Sequence, residues 1–160
     1  MMIMLRRVFG LGVSLVICFG VAGLGSVLTK PSISGWYSAL RKPSWTPPNW
    51  LFGPVWSALY LSMAIAAWLV WRRAGVSAVK LALTFFALQL ILNVGWSAIF
   101  FTLHIPGFAF AEILLLWLVI LATAASFWPV SPAAAWLMVP YLSWVGFASA
   151  LNYAIWRLNV

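Results

Sequence analysis

The sequence predicts an all-α fold, an integral membrane bundle of five transmembrane helices forming one domain over residues 1–160. Composition is the first reason. Hydrophobic residues make up 66% of the chain, charged residues 6%, and mean hydropathy is +1.08, a balance that a domain facing water on all sides does not have. Periodicity is the second. The apolar residues gather into five runs, each near the ~20 residues that a helix needs to cross ~30 Å of hydrocarbon. No alternating strand pattern occurs, and within lipid a helix satisfies its own backbone groups. The third is punctuation, since short breaker-rich segments (Arg72 to Gly75, His104 to Gly107, Pro129 to Pro132) separate the last four runs.

The first run is expected near residues 8–28. Arg6-Arg7 before an apolar stretch resembles a signal peptide, but the run exceeds the 7–15 residues usual for such a segment, so a retained helix is expected. Gly10, Ser14, Cys18, Ala22 and Ser26 fall four apart and form a small-residue ridge suited to close packing, inside the bundle or in a homodimer. The loop 29–50 follows. Within it Lys42, Pro43, Pro47 and Pro48 mark a lid, because proline fixes φ, lacks an N–H and extends the residue before it. Residues 42–48 are therefore expected to form a stiff polyproline-like strap leading into the second helix, with Asn49 as its N-cap and Pro54 in the first turn.

The second helix is placed near 51–71, the third near 80–102, the fourth near 108–128 and the fifth near 134–156, with Gly146, Ala150 and Ala154 as a second small ridge. Five spans put the strap, the 103–107 loop and the C-terminus on one side. Lys and Arg divide five against four between the two sides, so the positive-inside rule does not orient the chain.

Depth carries more information. Tyr60, Asn93, Ser97, Glu112, Asn152 and Tyr153 all fall in the half nearest the strap, with Gln89 and Trp144 near mid-depth. Polar groups in hydrocarbon need protein partners or a cavity. Either a ligand site lies beneath the strap, or these groups are interhelical glue. Of the twelve tryptophans, Trp50, Trp68, Trp71, Trp128, Trp136 and Trp156 sit near run ends as interfacial anchors. Trp56, Trp96, Trp117 and Trp144 lie deeper, as walls for a flat aromatic ligand or as core.

One Glu, one His and one Cys supply neither a catalytic triad nor a carboxylate pair nor a side-chain metal site. No catalytic residue, metal or obligatory cofactor is expected, and binding or passage is favoured over group transfer. His104 reads as a loop residue. Nine scattered Lys and Arg beside apolar runs are membrane flanks, which excludes nucleic acid as a partner. Glu112 is expected to pair with Arg157, or else with Arg41 or Lys42, because an ionised carboxylate at the membrane boundary favours a cation; the alternative is a carboxylate that reaches water from the helix N-terminus.

The motifs Trp36-Tyr37, Lys42-Pro43-Ser44-Trp45-Thr46-Pro47-Pro48, Pro54-x-Trp56 with Tyr60, Gln89 through Asn93 to Trp96-Ser97, Phe100-Phe101, Val139-Pro140-Tyr141-Leu142-x-Trp144 and Leu151-Asn152-Tyr153-x-x-Trp156-Arg157 resemble the translocator protein family. Its members are also called peripheral benzodiazepine receptors or, in bacteria, tryptophan-rich sensory proteins. The resemblance covers all five runs. It implies a bundle, often homodimeric, with a cavity on the side of the first loop that takes porphyrins such as protoporphyrin IX, sterols and synthetic drugs. It places Trp45, Tyr60, Asn93, Trp96, Trp117, Tyr141, Trp144, Ala148 and Leu151 around that cavity. Leu151, Tyr153 and Arg157 also fit a spacing proposed for sterol contact, while Phe147 narrows the pocket. The expected role is a receptor or transporter in a bacterial cell membrane, with porphyrin as ligand. Alternatives are light- and oxygen-dependent porphyrin breakdown with Trp45 or Trp144 as the reactive ring, and a regulatory protein acting through a protein partner.

Overall fold

The computed structural model describes the backbone of residues 2–76 and 78–160 and the side chains of residues 9–76 and 78–160. The side chains of Arg6 and Arg7, which bear on the signal-peptide reading, lie outside the described residues. Six helices follow in order: α1 Met2–Ile33, α2 Trp36–Ala39, α3 Asn49–Ala74, α4 Lys80–Ser97, α5 Pro106–Phe127 and α6 Pro132–Leu158. All but the short α2 contain a stretch long and apolar enough to cross a membrane, beginning in α1 at Phe9. The chain is an integral, multi-pass membrane protein. α1 packs on α3 and α4, α3 on α6, α6 on α5 and α5 on α4, which closes the spans into a ring.

The lid is shorter than the expected 29–50 loop. α1 continues through Pro31 to Ile33, tolerable because a proline in the last turn removes one hydrogen bond near the helix end, where Lys30 also suits the helix dipole. The strap is not continuously extended either. Thr46 donates from its N–H (3.1 Å) and from its hydroxyl (2.8 Å) to the Pro43 carbonyl, so a turn bends it at Ser44-Trp45. The N-cap of α3 is Pro48, extended and without side-chain capping, and Asn49 is the first helical residue. Pro54 then lies inside the helix, past the first turn.

The end of α4 widens into a π-helical turn over Ala98–Thr102. That turn carries Phe100 and Phe101, and π-turns recur where a helix must re-aim side chains. His104 beyond it has φ 58°, the left-handed geometry that often ends a helix. Its ring stacks on Trp36 at 4.2 Å, and its Nε2 lies 3.2 Å from the Ser32 hydroxyl. Ser32 also donates to the Phe101 carbonyl. The loop histidine thus helps seat the lid on the ends of α1 and α4.

The two halves of the ring pack differently. Away from the lid, Met63, Ala64, Ala66, Val70, Ile120, Phe127, Ala134 and Met138 are fully excluded from solvent, Phe86 stacks on Phe127 at 6.0 Å, and Gly10 faces the Trp71 ring so closely that a Cβ would lie 2.1 Å from it. On the lid side the helices part around a cavity.

Candidate functional site

The cavity holds about 510 Å³, within the ~300–1,000 Å³ typical of small-molecule sites. Its wall comes from the lid-side halves of α1, α3, α4 and α6 together with α2, and α5 contributes none of it. Trp56, Trp96, Trp144, Phe52 and Phe101 supply aromatic surface, while Ala22, Gly25, Gly53 and Ala148 leave the space between them.

Several polar groups in the wall are spent on bonds between and within helices, while the buried Trp144 Nε1 has no partner. The Tyr60 hydroxyl donates to Asn93 Oδ1 at 2.7 Å, and Asn93 Nδ2 donates to the Tyr141 hydroxyl at 2.8 Å, so one buried amide links α3, α4 and α6. Trp96 Nε1 donates to Asn152 Oδ1 at 2.9 Å, and Asn152 Nδ2 donates to the Pro106 carbonyl at 2.8 Å, which joins α4, α6 and the start of α5. Ser97 turns its hydroxyl back to the Asn93 carbonyl. Each such bond is worth about 0.6–2 kcal/mol within a membrane bundle. The site and glue readings of these residues therefore merge, since the rigid network is also part of the cavity wall.

The lid is fastened at Arg41 and Lys42, midway between α1 and α3. Asn159, just beyond α6, accepts from the Arg41 N–H (3.0 Å) and donates to the Arg41 carbonyl (2.9 Å). Lys42 Nζ lies 4.6 Å from the centre of the Tyr37 ring and reaches the Leu40 carbonyl at 3.2 Å. Burial raises the Tyr37 pKa above its usual 10, so the phenol stays neutral beneath that ammonium.

The sequence profile of the TspO/MBR family matches residues 13–157. The chain belongs to the TspO/MBR family. It is 41% identical to "Tryptophan-rich protein TspO" of Chlorobaculum tepidum over 158 residues, covering 96% of this chain and 98% of that one. It is 39% identical to "Translocator protein" of Sus scrofa over 145 residues (87% and 86% of the two chains), and 43% identical to that of Homo sapiens over 126 residues (78% and 75%).

In this TspO/MBR chain, five of the nine residues expected around the cavity line it: Tyr60, Asn93, Trp96, Trp144 and Ala148. The other four lie elsewhere. Tyr141 stands one layer behind, bonded to Asn93. Trp117 on α5 donates to the Leu142 carbonyl at 3.1 Å and fills the groove at Gly146, where a Cβ would lie 3.3 Å from its Nε1. Leu151 is buried in a satellite cluster with Tyr37 and Phe100. Trp45 is 48% exposed and meets Phe147 edge-on at 5.8 Å. Of the sterol-spacing residues, Leu151 is buried while Tyr153 and Arg157 are exposed on α6, so the three do not share a face.

Glu112 does not form the expected ion pair. Neither carboxyl oxygen has a hydrogen-bonding partner. The side chain turns toward α4, with Oε1 3.5 Å from where a Gly95 Cβ would sit, whereas Arg157 extends along Trp156, 6.0 Å from that ring. Depth separates the two: Phe110 on α5 already meets Tyr153 and Trp156, so Glu112, further along α5, lies deeper than Arg157 at the end of α6.

The lining also contains residues that the sequence argument sorted otherwise. Trp50, read as an interfacial anchor, lies at the mouth with Asn49, and Phe19, Ala22, Gly25, Ser26, Thr29 and Lys30 form an α1 wall. The small-residue ridge held a signal for that wall. Gly10, Ser14 and Cys18 are buried in close packing, but Ala22 and Ser26, further along, border the open space.

Proposed function

We propose that this TspO/MBR chain is a membrane receptor or transporter for a planar tetrapyrrole of the protoporphyrin type, held between helices beneath the lid. The observation that carries this reading is the cavity itself, a space of about 510 Å³ bordered by Trp56, Trp96 and Trp144. Indole faces stack on a flat conjugated ring and bury its area, and the Trp144 Nε1, buried without a partner, is left free to donate to a polar atom of the ligand. The printed names of the relatives, which speak of translocation, support movement of a ligand as part of the role. Phe147, expected to narrow the pocket, is not part of its wall; it packs at 5.4 Å on Trp144 and 5.8 Å from Trp45. In this reading the membrane is a bacterial cell membrane and the protein performs no chemistry on the ligand.

Porphyrin titration of the purified protein, followed by tryptophan fluorescence in darkness and then under illumination, tests the proposal. Saturable quenching with an unchanged Soret band is expected. Loss of the band with new absorbing products under light would replace the receptor with a porphyrin-degrading activity. No response would favour a regulatory protein with a protein partner.

A further inference from the structure

The cavity has a single formal charge in its wall. Lys30 is its one cationic lining residue and no acidic residue lines it. The chain's only acid, Glu112, stands on α5, outside the wall. Lys30 lies in the last turn of α1, at the level where α3 begins across the opening with Asn49 and Trp50. Among the described residues its ammonium forms no hydrogen bond or ion pair. Lys42, by contrast, is engaged with the Tyr37 ring and two carbonyls.

A second feature of the same rim points the same way. α3 is 26 residues long and starts without side-chain capping, so its first-turn N–H groups present the positive end of a long helix dipole. Lys30 is exposed at the rim, and of the first-turn N–H groups of α3 that of Leu51 already donates to the Pro48 carbonyl; the ammonium and the remaining N–H groups favour an anion where the apolar space opens to water.

Building on the tetrapyrrole reading, we propose that Lys30 and the start of α3 select ligands carrying a carboxylate on one edge, with the flat ring directed down between Trp56, Trp96 and Trp144 and the carboxylate held at the mouth. The site then takes a planar aromatic acid in a fixed orientation and discriminates against its neutral counterpart.

Protoporphyrin IX and its dimethyl ester share the ring and differ in the propionate edge, charged in one and neutral and methylated in the other, and their affinities for the detergent-solubilised protein and its Lys30 variants form the test. In the unaltered protein the diacid should bind roughly 3- to 5-fold more tightly than the ester, the upper end for an exposed charge pair. Lys30→Met should bring the two within about twofold, and Lys30→Arg should restore the preference. Lys80→Met, which removes a cation at the start of α4 on the side away from the lid, should leave the preference in place. All variants are first matched to the parent by thermal unfolding. A preference that survives Lys30→Met, or equal binding of acid and ester by the parent protein, overturns the inference while leaving the tetrapyrrole reading standing. Failure of both compounds to bind the parent protein overturns both.

Discussion

The half of the bundle beneath the lid and the half away from it are built from the same five helices and differ in what fills them. Away from the lid, small residues draw the helices together: Ala64, Ala66 and Ala67 on α3 and Ala134 and Ala135 on α6 are buried, and Gly10 admits the Trp71 ring. Beneath the lid, aromatic rings hold the helices apart, and buried hydrogen bonds take over part of the cohesion. The contrast teaches that in lipid a cavity needs polar ties. Solvent exclusion adds little between helices whose alternative surroundings are also apolar, so helices that part must be joined by other means.

The most damaging substitutions should fall in the close-packed half. Phe127→Ala, at a fully buried ring stacked on Phe86, should cost about 3–5 kcal/mol in unfolding free energy, measured by thermal or denaturant melting in detergent. Porphyrin affinity of the surviving fold should be unchanged. An affinity loss as large as that of a wall residue would break the separation of the halves.

Asn93→Ala comes next. It removes the acceptor of the Tyr60 hydroxyl and the donor to Tyr141, and the stability of the ligand-free protein should fall by about 1–3 kcal/mol. Thermal neutrality without ligand would mean that the network is slack and that the amide serves the ligand alone.

The tryptophans sharpen the division. Trp144→Ala, in the cavity wall, should weaken porphyrin binding by about 1–3 kcal/mol through lost stacking and buried area. Trp117→Ala, which removes the bond to the Leu142 carbonyl, should lower the melting temperature and spare affinity. Trp136→Ala, at an exposed ring, should change neither. Fluorescence titration of the three variants checks this, and equal affinity losses would show that the wall has been misassigned.

The smallest expected effect concerns Glu112. With its carboxyl turned to Gly95 and Arg157 lying along Trp156, a double-mutant cycle of Glu112→Gln and Arg157→Gln should be additive within about 0.3–0.5 kcal/mol in thermal stability. A larger coupling would tie α5 to α6 on the lid side and add an ionic element to the polar ties already there.

Several features were legible without coordinates. The five spans follow from apolar length and breakers, and the polar half follows from counting turns from the helix ends, which placed Tyr60, Asn93 and Ser97 together near the strap. The prolines marked the lid, although not the turn at Ser44-Trp45, which depends on hydrogen bonds to the Pro43 carbonyl. What sequence could not supply was rotation. Trp96 and Trp117 both lie away from the run ends, yet one borders the cavity and the other seals α5 against α6. Tyr141 stands behind the wall that Trp144, one turn on, helps to form, and α1 packs along one part of its ridge and opens along the next. In a water-soluble helix the polar face would reveal which side turns outward. In a membrane bundle lipid and core are equally apolar, so length and depth are written along the chain while the phase of each helix is decided only when the five pack around one another.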